Sequence, residues 1–180
     1  MAAETPPKGA AIIVLGPSAL DLARRLKAVL PESKIHGYER RVEAPDVAFT
    51  RMSAHLVELF RAGVPILGLC AAGILIRGLA NALGDKHDEP PVIAMSEDGS
   101  AIVPLLGGHR GGHALAQAAA SVTDGAVAIT SASDLRLGLA LDDPPEGWRI
   151  ANPDMIMPIS AALLAGEAVR LSVEAGSRDW

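Results

Sequence analysis

The chain has 180 residues, 49% of them hydrophobic, and a net charge of −5 at pH 7, which is enough apolar material for one substantial core and too much for a disordered chain. Its acidic balance excludes a typical nucleic-acid binder, whose domain needs a basic face against phosphates. The longest apolar run, Val64 to Ile76, is broken by Pro65, Gly68 and Gly73 and stops at Arg77, short of the ~20 residues that cross a bilayer.

Glu4, Pro6 and Pro7 stand ahead of the first apolar segment, which is not the basic-then-apolar pattern of a secretory signal, so a cytoplasmic location is expected with no membrane and no nucleic acid as partner. Residues 1–9 read as a disordered leader. Ala10 to Leu15 is an Ile/Val-rich strand, followed by Gly16-Pro17-Ser18 and an amphipathic helix to Leu30. Ser18 with Asp21 three residues on has the form of a capped helix start. Lys34 to Tyr38 is a second strand. Met52, Leu56, Leu59 and Phe60 recur at helical spacing until Gly63 and Pro65 stop the helix.

Pro65 to Leu69 is a third strand and Gly73 to Leu83 a helix packed on the sheet. Pro91–Met95 and Ala101–Leu106 flank Ser96-Glu97-Asp98-Gly99, whose Asp-Gly pair favours a hairpin. A helix over His113 to Ser121 and a strand over Ala126 to Thr130 complete the pattern. Asp142 to Gly147 is a charged, proline-rich hinge, and the tail holds a helix near Asp154 to Leu164 and a strand near Ala168 to Val173.

Alternating strands and helices predict an α/β fold: a three-layer sandwich with a mostly parallel sheet, helices on both faces and one β-hairpin. The expected organisation is a domain over 10–134 and a docked extension, or the start of a further region, over 135–180.

Three segments that each follow a strand are candidates for chemistry: Cys70-Ala71-Ala72-Gly73 leading to Arg77, Leu105 through His113, and Thr130-Ser131-Ala132-Ser133-Asp134. In open α/β sheets ligands bind outside the carboxyl ends of the strands, so parallel strands would bring all three to one edge. The run Gly107-Gly108-His109-Arg110-Gly111-Gly112 is the most informative. Its glycines let backbone N–H groups approach a ligand, the helix that follows favours anions, and Arg110 can grip a carboxylate through paired hydrogen bonds. An acidic ligand is expected there.

His109 and His113 are four apart, but Gly111 and Gly112 between them interrupt a helical turn, so no metal is expected. Lys86 and Asp88 lie in a charged loop before a strand. Cys70, the single cysteine, reads as a small buried hydrophobe.

Ala72-Gly73-Ile74-Leu75-Ile76-Arg77, Lys86-His87-Asp88-Glu89-Pro90-Pro91, Leu105 through Gly112 and Ile129 through Asp134 occur in an order and spacing that resemble the amino-terminal domain of the cobalamin biosynthesis protein G family, the cobalt-precorrin-5A hydrolases. Gly147-Trp148 and Ala161 to Val169 are similar to the start of that family's middle region. His113 stands where the family has Asn, and the family's carboxyl-terminal domain has no counterpart in these residues.

The resemblance implies lactone-opening hydrolysis of a precorrin-5A-type intermediate with release of acetaldehyde, or the substrate-binding part of that enzyme, and no cofactor. It implies a precorrin-type polycarboxylate macrocycle as ligand, held by Gly73, Arg77, Lys86, Asp88, Gly107, Gly108, Arg110, Gly111, Gly112, His113, Thr130, Ser131 and Asp134. The four loop glycines would supply N–H groups to the oxyanion, with His109 as the base. The alternative is a non-catalytic corrinoid-binding domain fused to, or associated with, a precorrin-3B 17-methyltransferase; a homodimer is the self-association allowed for.

Overall fold

The computed structural model describes residues 5–86, 88–130, 141 and 148–175, and of His109 the backbone only. Two compact units are present, one from Ala3 to Ala128 and the other from Ile129 to Trp180.

The first unit is built on seven strands: β1 (Ala11–Val14), β2 (Lys34–Tyr38), β3 (Val47–Phe49), β4 (Ile66–Leu69), β5 (Val92–Met95), β6 (Ala101–Leu106) and β7 (Ala126–Val127). Their order across the sheet is β3-β2-β1-β4-β5-β6-β7. The first five in that order are parallel neighbours, β6 runs antiparallel to β5, and β7 is parallel to β6. Every residue of β1, β4 and β5 is buried, as expected of strands covered on both faces.

Side chains alternate between the two faces with a period of two. Ile12, Val14, Leu67, Leu69, Ile93 and Met95 share a core with Leu22 and Leu26 of α1 (Leu20–Val29) and Leu115 and Ala119 of α4 (His113–Thr123). Ala11, Ile13, Ile66, Val92 and Ala94 share the other with Leu56, Leu59 and Phe60 of α2 (Met52–Arg61) and Leu75 and Leu79 of α3 (Ala72–Leu79). The result is the three-layer α/β sandwich that the strand–helix alternation predicts, with β5 and β6 as its hairpin.

Several details differ from the sequence reading. β3 escapes it because three residues between Asp46 and Thr50 carry no usable periodicity. Ser18 is not a helix cap: it lies in a tight turn over Pro17–Ala19, α1 starts at Leu20, and the Ser18 hydroxyl donates to Glu97 Oε2 at 2.6 Å. The helix expected to reach Leu83 ends at Leu79. β7 is two residues long instead of running to Thr130, and residues 167–173 hold no strand. The stretch read as a leader makes contacts at its end, where the Gly9 N–H donates to Pro31 O at 2.9 Å and Lys8 pairs with Glu32 at 3.7 Å.

β6 is irregular where it leaves the hairpin. Val92 faces Leu106 while Ile93 faces Pro104, so Leu105 is an extra residue and the strand bulges there. Proline has no N–H to give to a ladder and is tolerated in sheets at bulges and edges. β7 pairs only with Ala101 and Ile102, so Pro104 removes no bond from that side. In the second unit, a turn over Pro153–Met155 leads into α5 (Ile156–Ala165), which closes on Gly166 at φ 81° with its N–H donating to Leu163 O.

The hairpin turn is organised by Asp98. Its Oδ1 accepts from the Ser96 hydroxyl (2.6 Å), the Ser100 hydroxyl (2.8 Å) and the Ser100 N–H (3.0 Å). These bonds, the Ser96 hydroxyl foremost, hold the carboxyl down to about 2. Because the folded chain holds that proton less tightly than the unfolded chain, the contribution is present above the ordinary value of 3.8 and is lost as pH falls towards about 2. Asp98→Ala should therefore unfold at lower denaturant at pH 7 and lose that part of the acid dependence; an unchanged midpoint across this range would show that the turn does not depend on the carboxylate.

Candidate functional site

Strand direction divides the expected site. The carboxyl ends of β1, β4 and β5 lie at one rim of the sheet, since Val14, Leu69 and Met95 are in register. β6 runs the other way, so Leu106 comes out beside Val92, at the amino ends of the same strands. The glycine-rich run that follows Leu106 is thus on the opposite rim from the turn that opens α3. The expectation that all three candidate segments share one edge is overturned, because it required β6 to be parallel.

On the glycine rim, residues 108–112 form one wide turn into α4. Gly107 is left-handed (φ 61°, ψ 33°), as is Gly111 (φ 87°, ψ 3°), and Arg110 lies outside helical values at φ −100°, ψ 37°. A Cβ on Gly107 would stand 2.8 Å from the Pro91 nitrogen and 2.9 Å from the Pro90 carbonyl carbon. That close approach ties the turn to the start of β5. The loop uses some of its own donors: Gly107 O accepts from the N–H groups of Arg110 and Gly112, both at 3.0 Å. The Gly112 N–H, expected to face an oxyanion, is therefore engaged within the turn.

His113, the first residue of α4, folds back over Gly108, its Nε2 only 2.6 Å from where a Cβ would be. Lys86 and Asp88 belong to the loop that enters β5 and so lie at this same rim, both exposed. That loop is pinned by Glu89, a buried acid missed in the sequence, whose Oε1 accepts from the Gly84 N–H at 3.0 Å. Arg110 is exposed. The structure thus brings Lys86, Asp88, Gly107, Gly108, Arg110, Gly111, Gly112 and His113 to one rim, together with the backbone of His109.

Gly73 and Arg77 lie elsewhere. Gly73 is in the first turn of α3, which follows β4, and the Arg77 guanidinium folds back over it, 3.1 Å from a Gly73 Cβ position. The chain reverses its direction of travel across the sheet between β1 and β4, where doubly wound sheets bind ligands outside the strand ends. The Ser18–Glu97 bond joins the turns after β1 and β5, the strands on either side of β4. Cys70, at the end of β4, is buried, and burial, followed by the Glu97 charge, pushes its thiol up to about 11. It is protonated at neutral pH and cannot serve as a ready nucleophile.

Thr130 follows β7 and belongs to the second unit. Ser131 and Asp134, together with the hinge over 142–147, lie outside the described residues. Among the described residues no three His, Cys, Asp or Glu side chains are placed to hold a metal ion, and no helix is long and apolar enough to cross a membrane.

The sequence model of the family described as Cobalamin synthesis G N-terminal matches residues 54–134, from α2 through β7 and just beyond. These residues are similar to a cobalamin synthesis G amino-terminal domain. Two curated relatives are similar to the chain. The cobalt-precorrin-5A hydrolase of Priestia megaterium is 23% identical over 180 residues, covering 94% of this chain and 48% of that protein. The cobalt-precorrin-5A hydrolase of Salmonella typhimurium is 32% identical over 138 residues, covering 76% of this chain and 39% of that protein. The chain thus spans half or less of the length of the curated relatives it matches. A crystal structure of a cobalamin biosynthesis protein G homolog from Sulfolobus solfataricus has the same fold, with a TM-score of 0.51 and 21% identity over 95% of this chain and 51% of that one.

The family match includes both rims, since it takes in Gly73, Arg77, Lys86 and the whole glycine turn. Two glycines on it should respond in opposite ways. In Gly107→Ala the new methyl meets backbone atoms and the residue must hold a left-handed conformation, which should cost about 1–3 kcal/mol in chemical denaturation. In Gly73→Ala it meets only the movable end of Arg77, and the helix gains up to about 1 kcal/mol of propensity. Equal losses for the two variants would show that the glycine turn is not the tight element described.

Proposed function

We propose that this chain is the amino-terminal part of a cobalt-precorrin-5A hydrolase, carrying both its substrate site and its catalytic base, and that it acts in cobalamin biosynthesis on a precorrin-type polycarboxylate macrocycle. The kinship of residues 54–134, with two relatives that carry that activity in their names, is the observation that supports this reading most. The reaction is hydrolysis: water adds to a lactone carbonyl, the ring opens, and a two-carbon fragment leaves as acetaldehyde.

Such a reaction needs a group to take the proton from water, donors for the negative charge that develops on the carbonyl oxygen, and cations for the peripheral carboxylates. His109 is the base in this proposal, since an imidazole's ordinary pKa lies near neutral pH. Arg110 and Lys86 hold carboxylates, with Asp88 and His113 beside them. The N–H groups of Gly107, Gly108 and Gly111 face the oxyanion, while that of Gly112 serves the turn. Gly73 and Arg77 are left out of this pocket, because the sheet stands between the two rims and one macrocycle cannot reach both.

Incubating the protein with cobalt-precorrin-5A and assaying acetaldehyde tests the reading directly. His109→Ala should slow release by about 10²–10⁴-fold, the usual worth of a general base, and leave binding of the macrocycle nearly unchanged. Arg110→Ala should weaken binding instead. Tight binding without any acetaldehyde from the unaltered chain would reduce it to a holding module, and an His109→Ala variant as fast as the parent would remove that residue from the chemistry.

A further inference from the structure

Away from both rims, two histidines meet beneath α2. His36 of β2 and His55 of α2 approach with Nδ1 and Nε2 2.8 Å apart, and the His55 ring stacks on Phe49 of β3 at 4.8 Å and 10°. His36 is only 7% exposed. We propose that the His36–His55 hydrogen bond is a proton-operated clasp, which holds the β3–α2 segment on β2 while both rings are neutral and loosens it in mildly acidic solution.

The bond requires one nitrogen with a hydrogen and one without. Glu58 Oε2 lies 4.0 Å from the other nitrogen of His55, Nδ1, and its negative charge favours the tautomer with hydrogen there. His55 Nε2 is then the acceptor and His36 Nδ1 the donor. A further proton has two places to go. On His55 Nε2 it keeps the bond only if the His36 hydrogen moves to that ring's own Nε2, and on His36 Nε2 it places a positive charge in the packed face of the sheet. A second proton puts hydrogen on both facing nitrogens and removes the bond.

The surroundings offer that charge little. On β2 the nearest charged neighbour of His36 is Lys34, which repels it. From the loop before β3, Asp46 attracts it, but that carboxylate is already held by Lys27 at 2.6 and 2.7 Å and by the Ile35 N–H at 2.8 Å. On β1 the residue in register is the apolar Ile13, and β3 presents Phe49. On α2 the one acid beside the pair is Glu58, on the far side of His55 and largely exposed.

Burial first, then His55 and Lys34, accordingly lower His36 from 6.5 to about 4, and His55 is lowered too, by burial against the opposing pull of Glu58. The unfolded or opened chain binds more protons than the clasped one between these limits. The clasp is therefore complete above about pH 6.5 and weakens as pH falls towards about 4.

Within the held segment α2 is anchored by Leu56, Leu59 and Phe60 in the core, and β3 is the lightly tied part. β3 is an edge strand of three residues with one ladder, to β2. Its release would also reach α3, because Leu56 of α2 packs so tightly on Gly78 of α3 that a Cβ there would come within 2.6 Å.

Hydrogen exchange read by mass spectrometry on the full chain, corrected for intrinsic rates, tests the clasp. Opening of the peptides covering β3 and α2 should rise up to about tenfold for each pH unit below about 6.5 for each of the two histidines that takes up a proton, and peptides of β4 and α4 should not follow. The double variant His36→Leu, His55→Phe replaces both partners by apolar groups and should make exchange in that segment insensitive to pH. A pH-insensitive segment in the parent, or the same pH response in the double variant, overturns the proposal. Should that variant fail to fold, ring NMR of the parent decides: His36 must stay neutral to well below pH 6.5, and an ordinary titration near that value refutes the clasp.

Discussion

The carboxylate of Asp98 governs where the second half of the domain can be. By accepting three hydrogen bonds from Ser96 and Ser100 it closes a turn that sends β6 back along β5. Without this reversal the glycine turn would emerge at the carboxyl ends of the strands, beside α3, as in a wholly parallel sheet. With it, the glycine turn emerges against Pro90 and Pro91 at the other end. The reversal of β6 thus decides which loops share a rim.

The layers and most elements were legible in the sequence because they rest on local signals. The all-apolar runs of β1, β4 and β5 announce strands covered twice, and Leu56, Leu59 and Phe60 announce a helix with one buried side. The Asp98-Gly99 pair announced the hairpin too. The consequence of the hairpin is not local: an antiparallel strand inverts the rim on which its following loop lies. Ser18 departs from its capping pattern because a serine three residues before an acid caps a helix only when no distant partner competes for the hydroxyl, and Glu97 does compete. The His36–His55 contact left no trace at all, being a meeting of two residues nineteen apart on different elements.

The glycine turn shows how much of its form is internal. Two of its N–H groups are spent on Gly107 O, one histidine is folded onto it, and Pro90 and Pro91 crowd its entrance. This rigidity suits a site whose donors must already be in place when charge develops, because reorganisation during the reaction would waste their effect. It also explains why glycine is needed at position 107 for reasons of space as well as of backbone angle. The Arg77 side, by contrast, presents a movable guanidinium and a hydroxyl–carboxylate bridge, a different chemistry on the far end of the same strands.

Pro104 and the bulge at Leu105 bear on how the molecule behaves among its own copies. β7 accompanies β6 for only two residues, so beyond Ile102 the outer margin of β6 has no strand beside it among the described residues. An open margin of that kind is a template on which another chain can add a strand and begin to aggregate. Here the template is spoiled: one backbone donor is missing altogether, and the kinked strand no longer presents its groups at even spacing. That margin of β6 is thus a poor one for another strand to extend.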